Sequence, residues 1–297
     1  MAATIDREPR IWWTEEQGNQ TRCIACGRQP FPYEPRRACP HHCATCAAAA
    51  LPPAPYTAGF AADKGPRRVH ADAAAVYRDP ATGRQAFAVA DGVGDEYDAE
   101  EAARLAVWAA TAAATAAGAA GGLHQARDIW DRRYADAPPG QAGHAVVVLA
   151  VPFDAAHGGG WDLAWCGDAR AYEYQDGTLT QLTTDHTEAE RMRARGIPAE
   201  WIGPQSENRV TATIGYGEIA SVRTLAPTGR LLLCSDGVYG KLSAATIARG
   251  LRIFTDPRAA ARRLVRAARR QGSTDNATAL VIDPPSADPG RPAALAP

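Results

Sequence analysis

Beyond about Ala58 the chain is built of short apolar runs separated by turn residues. QAFAVAD (Gln85 to Asp91) is a compact apolar run that ends in Asp-Gly, which predicts a strand, and DPATG (Asp79 to Gly83) just before it predicts a hairpin turn. HAVVVLAV (His144 to Val151) and GRLLLCSD (Gly229 to Asp236) are continuously apolar, the pattern of buried strands. WDLAWC (Trp161 to Cys166) and ARAYEY (Ala169 to Tyr174) predict a further strand pair, with a Gln175-Asp176-Gly177 turn into TLTQL, and NATALVID (Asn276 to Asp283) predicts a last strand. Two stretches read as helices. Asp98 to Ala117 is alanine-rich, with Asp98 placed to cap it and Glu100 and Glu101 favourable to its N-terminal dipole. DPRAAARRLVRAARRQ (Asp256 to Gln271) carries Pro257 in its first turn. Short hairpin-linked strands with separate helical blocks predict an α+β fold, with two sheets packed face to face and helices outside.

Composition narrows the class. The 297 residues are 46% hydrophobic and 22% charged, as expected of a soluble globular protein, and no internal repeat is visible. Lys+Arg 32 against Asp+Glu 33 gives a net charge of −1, which argues against nucleic acid or an acidic membrane as the main partner. The apolar stretch from Ala99 to Ala120 is mostly alanine and has Glu100, Glu101 and Arg104 in its first turns, so it reads as a soluble helix rather than a membrane span. Residues 1–10 contain acids and a proline and no apolar signal-like run, so the cytosol is the expected compartment.

Candidate chemistry lies in aspartates at strand ends. Asp91 follows AFAVA, Asp236 follows LLLCS, Asp275 precedes NATALVI, and Asp168 sits in CGDARA. Carboxylates converging on one sheet edge repel each other unless cations lie between them, and hard divalent ions such as Mg2+ or Mn2+ accept such oxygens. Gly92 after Asp91 leaves room for its carbonyl to approach a metal. A single Asp-Gly after a strand is an ordinary turn.

The segments taken together carry more. AVADGVGDEYDAEEAA (Ala88 to Ala103), WCGDARAYEYQDGTLTQLTTDHT (Trp165 to Thr187), VTATIGYG (Val210 to Gly217), LLLCSDGVYGKLS (Leu231 to Ser243) and GSTDNATALVI (Gly272 to Ile282) occur in the order of a known pattern. They resemble the metal-dependent serine/threonine protein phosphatases of the PP2C (PPM) family, in particular the bacterial type, over about Phe60 to Asp283. The resemblance implies a four-layer αββα sandwich. It implies that Asp91 bridges two Mn2+ or Mg2+ ions, that Gly92 donates its carbonyl to one, and that Asp236 and Asp275 complete the second site. Asp168 falls where some members hold a third, weaker ion. Two cations about 4 Å apart activate a water between them and neutralise phosphoryl oxygens. The family also binds substrate phosphate with an arginine five residues before an acid. Counting back from Asp72 selects Arg67; counting forward from Gly65 selects Arg68; Arg67 is preferred, with Asp72 as an outer-shell acid. The chain departs from the family at His70, Ala71, Asp95, His144, Ala169 and Ala212, none of them a direct metal ligand. His70, His144 and His186 read as structural residues.

The cysteines form a second signal. Five of seven lie between Cys23 and Cys46, and Cys23-x2-Cys26 and Cys43-x2-Cys46 have the spacing of two zinc knuckles. One structural Zn2+ is expected there, with Cys39, His41 and His42 as spare ligands, while Cys166 and Cys234 read as core residues. The expected organisation is a polar segment (1–22), a zinc-ribbon-like module (23–46), a Pro/Ala linker (47–57), a phosphatase-like domain (58–284) and a disordered tail (285–297). The expected activity is hydrolysis of phosphoserine and phosphothreonine in proteins, opposing bacterial serine/threonine kinases. The expected partners are a phosphorylated protein substrate and a kinase or regulatory partner at the N-terminal module, with the chain a monomer. Two other readings compete: a PP2C-like module that binds phosphoproteins without turnover, and a nucleic-acid-binding zinc ribbon, which the balanced charge disfavours.

Overall fold

The computed structural model describes residues 10–12, 55–138, 140–153, 159–224 and 229–285. The zinc-module residues Cys23, Cys26, Cys43 and Cys46, with Cys39, His41 and His42, lie outside the described residues, as does the tail beyond residue 285. The strands are β1 (Arg10–Trp12), β2 (Thr57–Asp63), β3 (Asp72–Arg78), β4 (Gln85–Gly92), β5 (Ala145–Phe153), β6 (Gly160–Cys166), β7 (Arg170–Gln175), β8 (Thr178–Gln181), β9 (Ala220–Arg223), β10 (Arg230–Cys234) and β11 (Ala277–Asp283). They form two antiparallel sheets, ordered β1-β3-β4-β5-β6-β9 and β2-β11-β10-β7-β8. The helices are α1 (Tyr97–Arg133), α2 (Glu188–Ala194), α3 (Pro204–Glu207), α4 (Asp236–Tyr239), α5 (Ala244–Ile253) and α6 (Pro257–Arg270).

Strand parity sorts the apolar residues into three layers of core. Phe87 and Val89 of β4, Val146 and Val148 of β5, Leu231 and Leu233 of β10 and Leu280 and Ile282 of β11 meet between the sheets. The alternate residues of β4 and β5, including Ala86, Ala88, Ala90, Val147 and Leu149, face α1. Leu232, Cys234, Ala279 and Val281 face α5 and α6. The result is a four-layer αββα sandwich, as the sequence pattern and the resemblance predict. Cys166 and Cys234 are buried, one in each helix-facing layer.

The helix α1 corrects the sequence reading at both ends. Its N-cap is Glu96, so Asp98 lies inside the first turn, and the helix continues to Arg133 rather than stopping at Ala117. It breaks at Gly118 (φ 75°, ψ 176°), and the following segment restarts because Asp162 Oδ2 on β6 accepts the Ala119 N–H at 2.9 Å. The cap for this restart comes from a distant strand, which is why a local reading ends the helix at the glycine. Although α1 is long and apolar enough to cross a membrane, it lies on the first sheet with Ala102, Ala103, Ala106, Ala110 and Ala114 in the core. The pairing of WDLAWC with ARAYEY is also corrected: β6 and β7 belong to different sheets, and the chain crosses between them at Gly167 (φ 94°). Strands β2 and β3 are not anticipated by the pattern, because β3 begins DAAAV and alanine is a weak strand signal.

Alanines on α1 face alanines on β4, so the layers approach closely without long side chains between them. Ala110→Leu should overpack this layer and lower unfolding stability by about 1–3 kcal/mol, measured by urea denaturation.

Candidate active site

Chain segments from both sheets meet at one end of the sandwich. In β4, Phe87 and Val89 face the opposite sheet, so Asp91 two residues on faces the same way. Asp72 stands directly opposite Asp91 in the β3–β4 register. The second sheet contributes Asp236, which opens α4 just after β10, and Asp275, two residues before β11. Asp168 occupies the crossing from β6 to β7. Gly92 sits at a close approach, where an added Cβ would lie 2.4 Å from the Ala99 carbonyl oxygen and 2.9 Å from the Ala71 methyl. This tight contact brings the N-terminus of α1 against the loop that precedes β3.

Burial and crowding dominate the electrostatics. Desolvation, reinforced by repulsion from Asp72, Asp236, Asp168 and Asp275, holds the Asp91 pKa well above the usual carboxylate range. Burial pushes Asp72 up to about 6, although the Ser235 hydroxyl donates to its Oδ2 at 2.8 Å. Asp236 rises to about 6 through burial and then repulsion from Asp275 and Asp72. Asp168 rises to about 7, by burial and then by Asp236 and Asp185. Asp91 lies within hydrogen-bonding reach of both Asp72 and Asp236. The buried oxygens Asp72 Oδ1 and Asp236 Oδ1 have no N–H or O–H donor among the described residues. A proton carried by a neighbouring carboxyl, an ordered water or a cation would satisfy them.

The two candidate arginines separate. Arg67 Nη2 donates to Asp275 Oδ2 at 2.5 Å. Burial opposes its charge, but Asp275, with Asp95 and Asp236, outweighs that cost and holds the guanidinium pKa above its ordinary value. Arg68 turns outward, pairing with Glu96 and lying over the Tyr97 ring at 5.8 Å. The loop that carries both is fastened by residues the sequence reading did not single out. Asp95, noted in the sequence only as a departure from the family, accepts the Arg68 N–H at 3.0 Å and the Val69 N–H at 3.2 Å, which lowers its own pKa. Asn276 accepts the Ala71 N–H at 2.7 Å and donates to the Lys64 and Val69 carbonyls at 2.8 and 3.2 Å. Asn276 directly follows Asp275 and Asp95 lies in the loop after Asp91, but the partners of both are far away along the chain.

The histidines take supporting places. His144 Nδ1 contacts Thr213 Oγ1 at 3.1 Å, and His186 Nδ1 accepts the Gly167 N–H at 3.2 Å. His70 is largely enclosed, with Nε2 lacking a hydrogen-bond partner among the described residues. Burial lowers the pKa of all three.

The donor set of hard oxygens, with two orphaned buried carboxylate atoms, fits divalent cations of the Mg2+ or Mn2+ type. Among the described residues no three histidine, cysteine or acidic side chains surround a single ion position. Asp275 is turned to Arg67, and Asp91 is positioned to share a proton with its neighbours.

No family model matches the chain. The chain is 29% identical over 213 residues to the serine/threonine protein phosphatase PstP of Mycobacterium tuberculosis, a match that covers 68% of this chain and 40% of that protein, so the chain spans about two fifths of that relative. The PPM Ser-Thr phosphatase MsPP of Mycobacterium smegmatis, solved with cacodylate, is 29% identical, covers 76% of this chain and 97% of its own, and superposes with a TM-score of 0.63. The catalytic domain of PstP solved with two manganese ions is 27% identical, with 77% and 97% coverage and a TM-score of 0.61. In fold and in sequence, the chain is similar to the PPM serine/threonine phosphatases.

Proposed function

We propose that the protein is a divalent-cation-dependent phosphatase that hydrolyses phosphoserine and phosphothreonine in proteins and opposes serine/threonine kinases. The observation that carries this reading is the convergence of Asp72, Asp91, Asp168, Asp236 and Asp275 at one sandwich end, with Arg67 among them. The likeness to PstP, whose catalytic domain has been solved with two manganese ions, supports it.

Asp91, Asp236, Asp275 and the Gly92 carbonyl would hold two Mn2+ or Mg2+ ions, with Asp168 at a third, weaker position. When bound, such ions supply Lewis-acid polarisation of water and neutralise the phosphoryl oxygens. Asp72, whose Oδ2 accepts from the Ser235 hydroxyl, would serve as the outer-shell acid that orients a water toward the phosphate. Arg67, which donates to Asp275 beside the acid cluster, would offer its two-pronged guanidinium to the substrate phosphate. The tie of Asp95 and Asn276 to the backbone of the Arg67 loop limits how far that side chain can stray.

Asp91→Asn and Asp236→Asn should each lower Mn2+-dependent hydrolysis of a phosphopeptide and of p-nitrophenyl phosphate by at least about 10³-fold while the protein stays folded. Wild-type rates in both variants would overturn the assignment.

The raised carboxyl pKa values also set a pH dependence. Asp72, Asp168 and Asp236 take up protons more readily in the folded chain than in the unfolded one. Their contribution to stability is therefore present below about pH 4 and is lost as the pH rises through about 6 to 7. Mn2+ at 100 times its Kd adds about 2.7 kcal/mol of stability, and it binds in competition with those protons. Thermal melts should show a larger Mn2+-induced rise in Tm at pH 7.5 than at pH 5.5, and Asp91→Asn should shrink the difference.

For residues 23–46 the spacing of Cys23, Cys26, Cys43 and Cys46 supports one structural Zn2+ in a module separable from the chemistry. Elemental analysis should find about one zinc per chain, and a chain beginning at Ala58 should lose it yet keep Mn2+-dependent hydrolysis.

A further inference from the structure

Tyr239 makes contacts that neither the sequence pattern nor the proposed chemistry uses. It closes α4, the single turn that Asp236 opens. Its hydroxyl donates to the Asp168 main-chain carbonyl at 2.9 Å and reaches Asp168 Oδ2 at 3.3 Å. One side chain therefore bridges the turn carrying Asp236, on the second sheet, to the crossing carrying Asp168. The Tyr239 ring is itself clamped, with the Arg170 guanidinium 3.7 Å from its centroid. Arg170 in turn is fixed by a two-pronged pair with Asp185, Nε to Oδ1 at 2.9 Å and Nη2 to Oδ2 at 2.5 Å, and by donation to the Tyr172 hydroxyl at 2.9 Å.

The Asp185 end of this chain of contacts is equally constrained. Trp165 Nε1 donates to the Thr184 carbonyl at 2.7 Å, and the His186 N–H donates to the Gly167 carbonyl at 3.0 Å. Residues 184–186 are thereby pinned to the same β6–β7 crossing that holds Asp168.

We infer that Tyr239 is a positioning residue: its phenol, held face-on by the Arg170–Asp185 pair, fixes the Asp168 carboxylate relative to Asp236 and so sets the affinity of the divalent cation that Asp168 holds. This rests on the reading that these aspartates take divalent cations. The geometry favours a selective effect. Asp91, Asp72 and Asp275 receive nothing from Tyr239, whereas Asp168 and the Asp236 turn are joined through it.

Tyr239→Phe deletes the hydroxyl and leaves the ring for Arg170, so packing should survive. The test is Mn2+ binding to the full chain, followed by the electron paramagnetic resonance signal of free Mn2+, beside thermal melting without metal. The expected result is an approximately tenfold loss of affinity confined to the weakest class of Mn2+ site, the scale typical of residues that orient metal ligands. The tighter classes and the metal-free Tm should match wild type, and Arg170→Lys should weaken the same class. In p-nitrophenyl phosphate assays the Mn2+ concentration for half-maximal rate should rise while kcat at saturating Mn2+ stays within about twofold. Superimposable isotherms would overturn the inference, as would equal weakening of every class together with a lowered Tm, which marks a general structural role. If wild type binds Mn2+ and Tyr239→Phe shifts the weak class but neither hydrolyses phosphoester, the phosphatase reading fails and the positioning role stands.

Discussion

Five aspartates share one end of this sandwich, and burial together with repulsion from neighbours disfavours the ionisation of four of them, Asp72, Asp91, Asp168 and Asp236. Burial and mutual repulsion push Asp72, Asp236 and Asp168 to about 6 to 7 and Asp91 higher still. Such an arrangement is costly for a chain to hold, and it persists because the backbones beneath it cannot relax apart. Asp72 and Asp91 are locked in register on adjacent strands, and Asp236 and Asp275 border the adjacent strands β10 and β11. Arg67 reaches into the cluster from the loop before β3 and pairs with Asp275.

Rigidity comes from the layers above and below. Phe87, Val89, Leu233 and Leu280 interlock between the sheets, while alanine packs on alanine under α1. Small side chains there bring the helix close, and the same closeness presses the N-terminus of α1 against the loop before Asp72 through Gly92. A change in helix packing therefore reaches the acids through only a few atoms.

The site is also tied across the sheets. Asn276 and Asp95 hold the Arg67 loop from two different directions, and Tyr239 links the Asp236 turn to Asp168. These ties decide which carboxylate faces which neighbour. They consist of a few hydrogen bonds each, between residues that are far apart in sequence, and so fix the orientation of the groups they hold.

Much of this was legible in the chain itself. Short apolar runs bounded by turn residues identified β4, β5, β6, β7, β10 and β11 because such runs are a local property, and the family resemblance carried by the ordered aspartate motifs implied the αββα architecture and grouped Asp91, Asp168, Asp236 and Asp275. The sequence alone did not distinguish the β6–β7 crossing from a hairpin, since a three-residue gap looks the same whether the chain turns back or changes sheet. Nor did it reveal the restart of α1 after Gly118, whose cap is the remote Asp162. Arg67 and Arg68 differ by one step of count, and only the tertiary structure turned one to Asp275 and the other to Glu96. Residue type and spacing thus determined which groups the protein has and which strands carry them. Which of those groups touch was decided by packing, because each deciding contact joins segments that the sequence keeps tens to hundreds of residues apart.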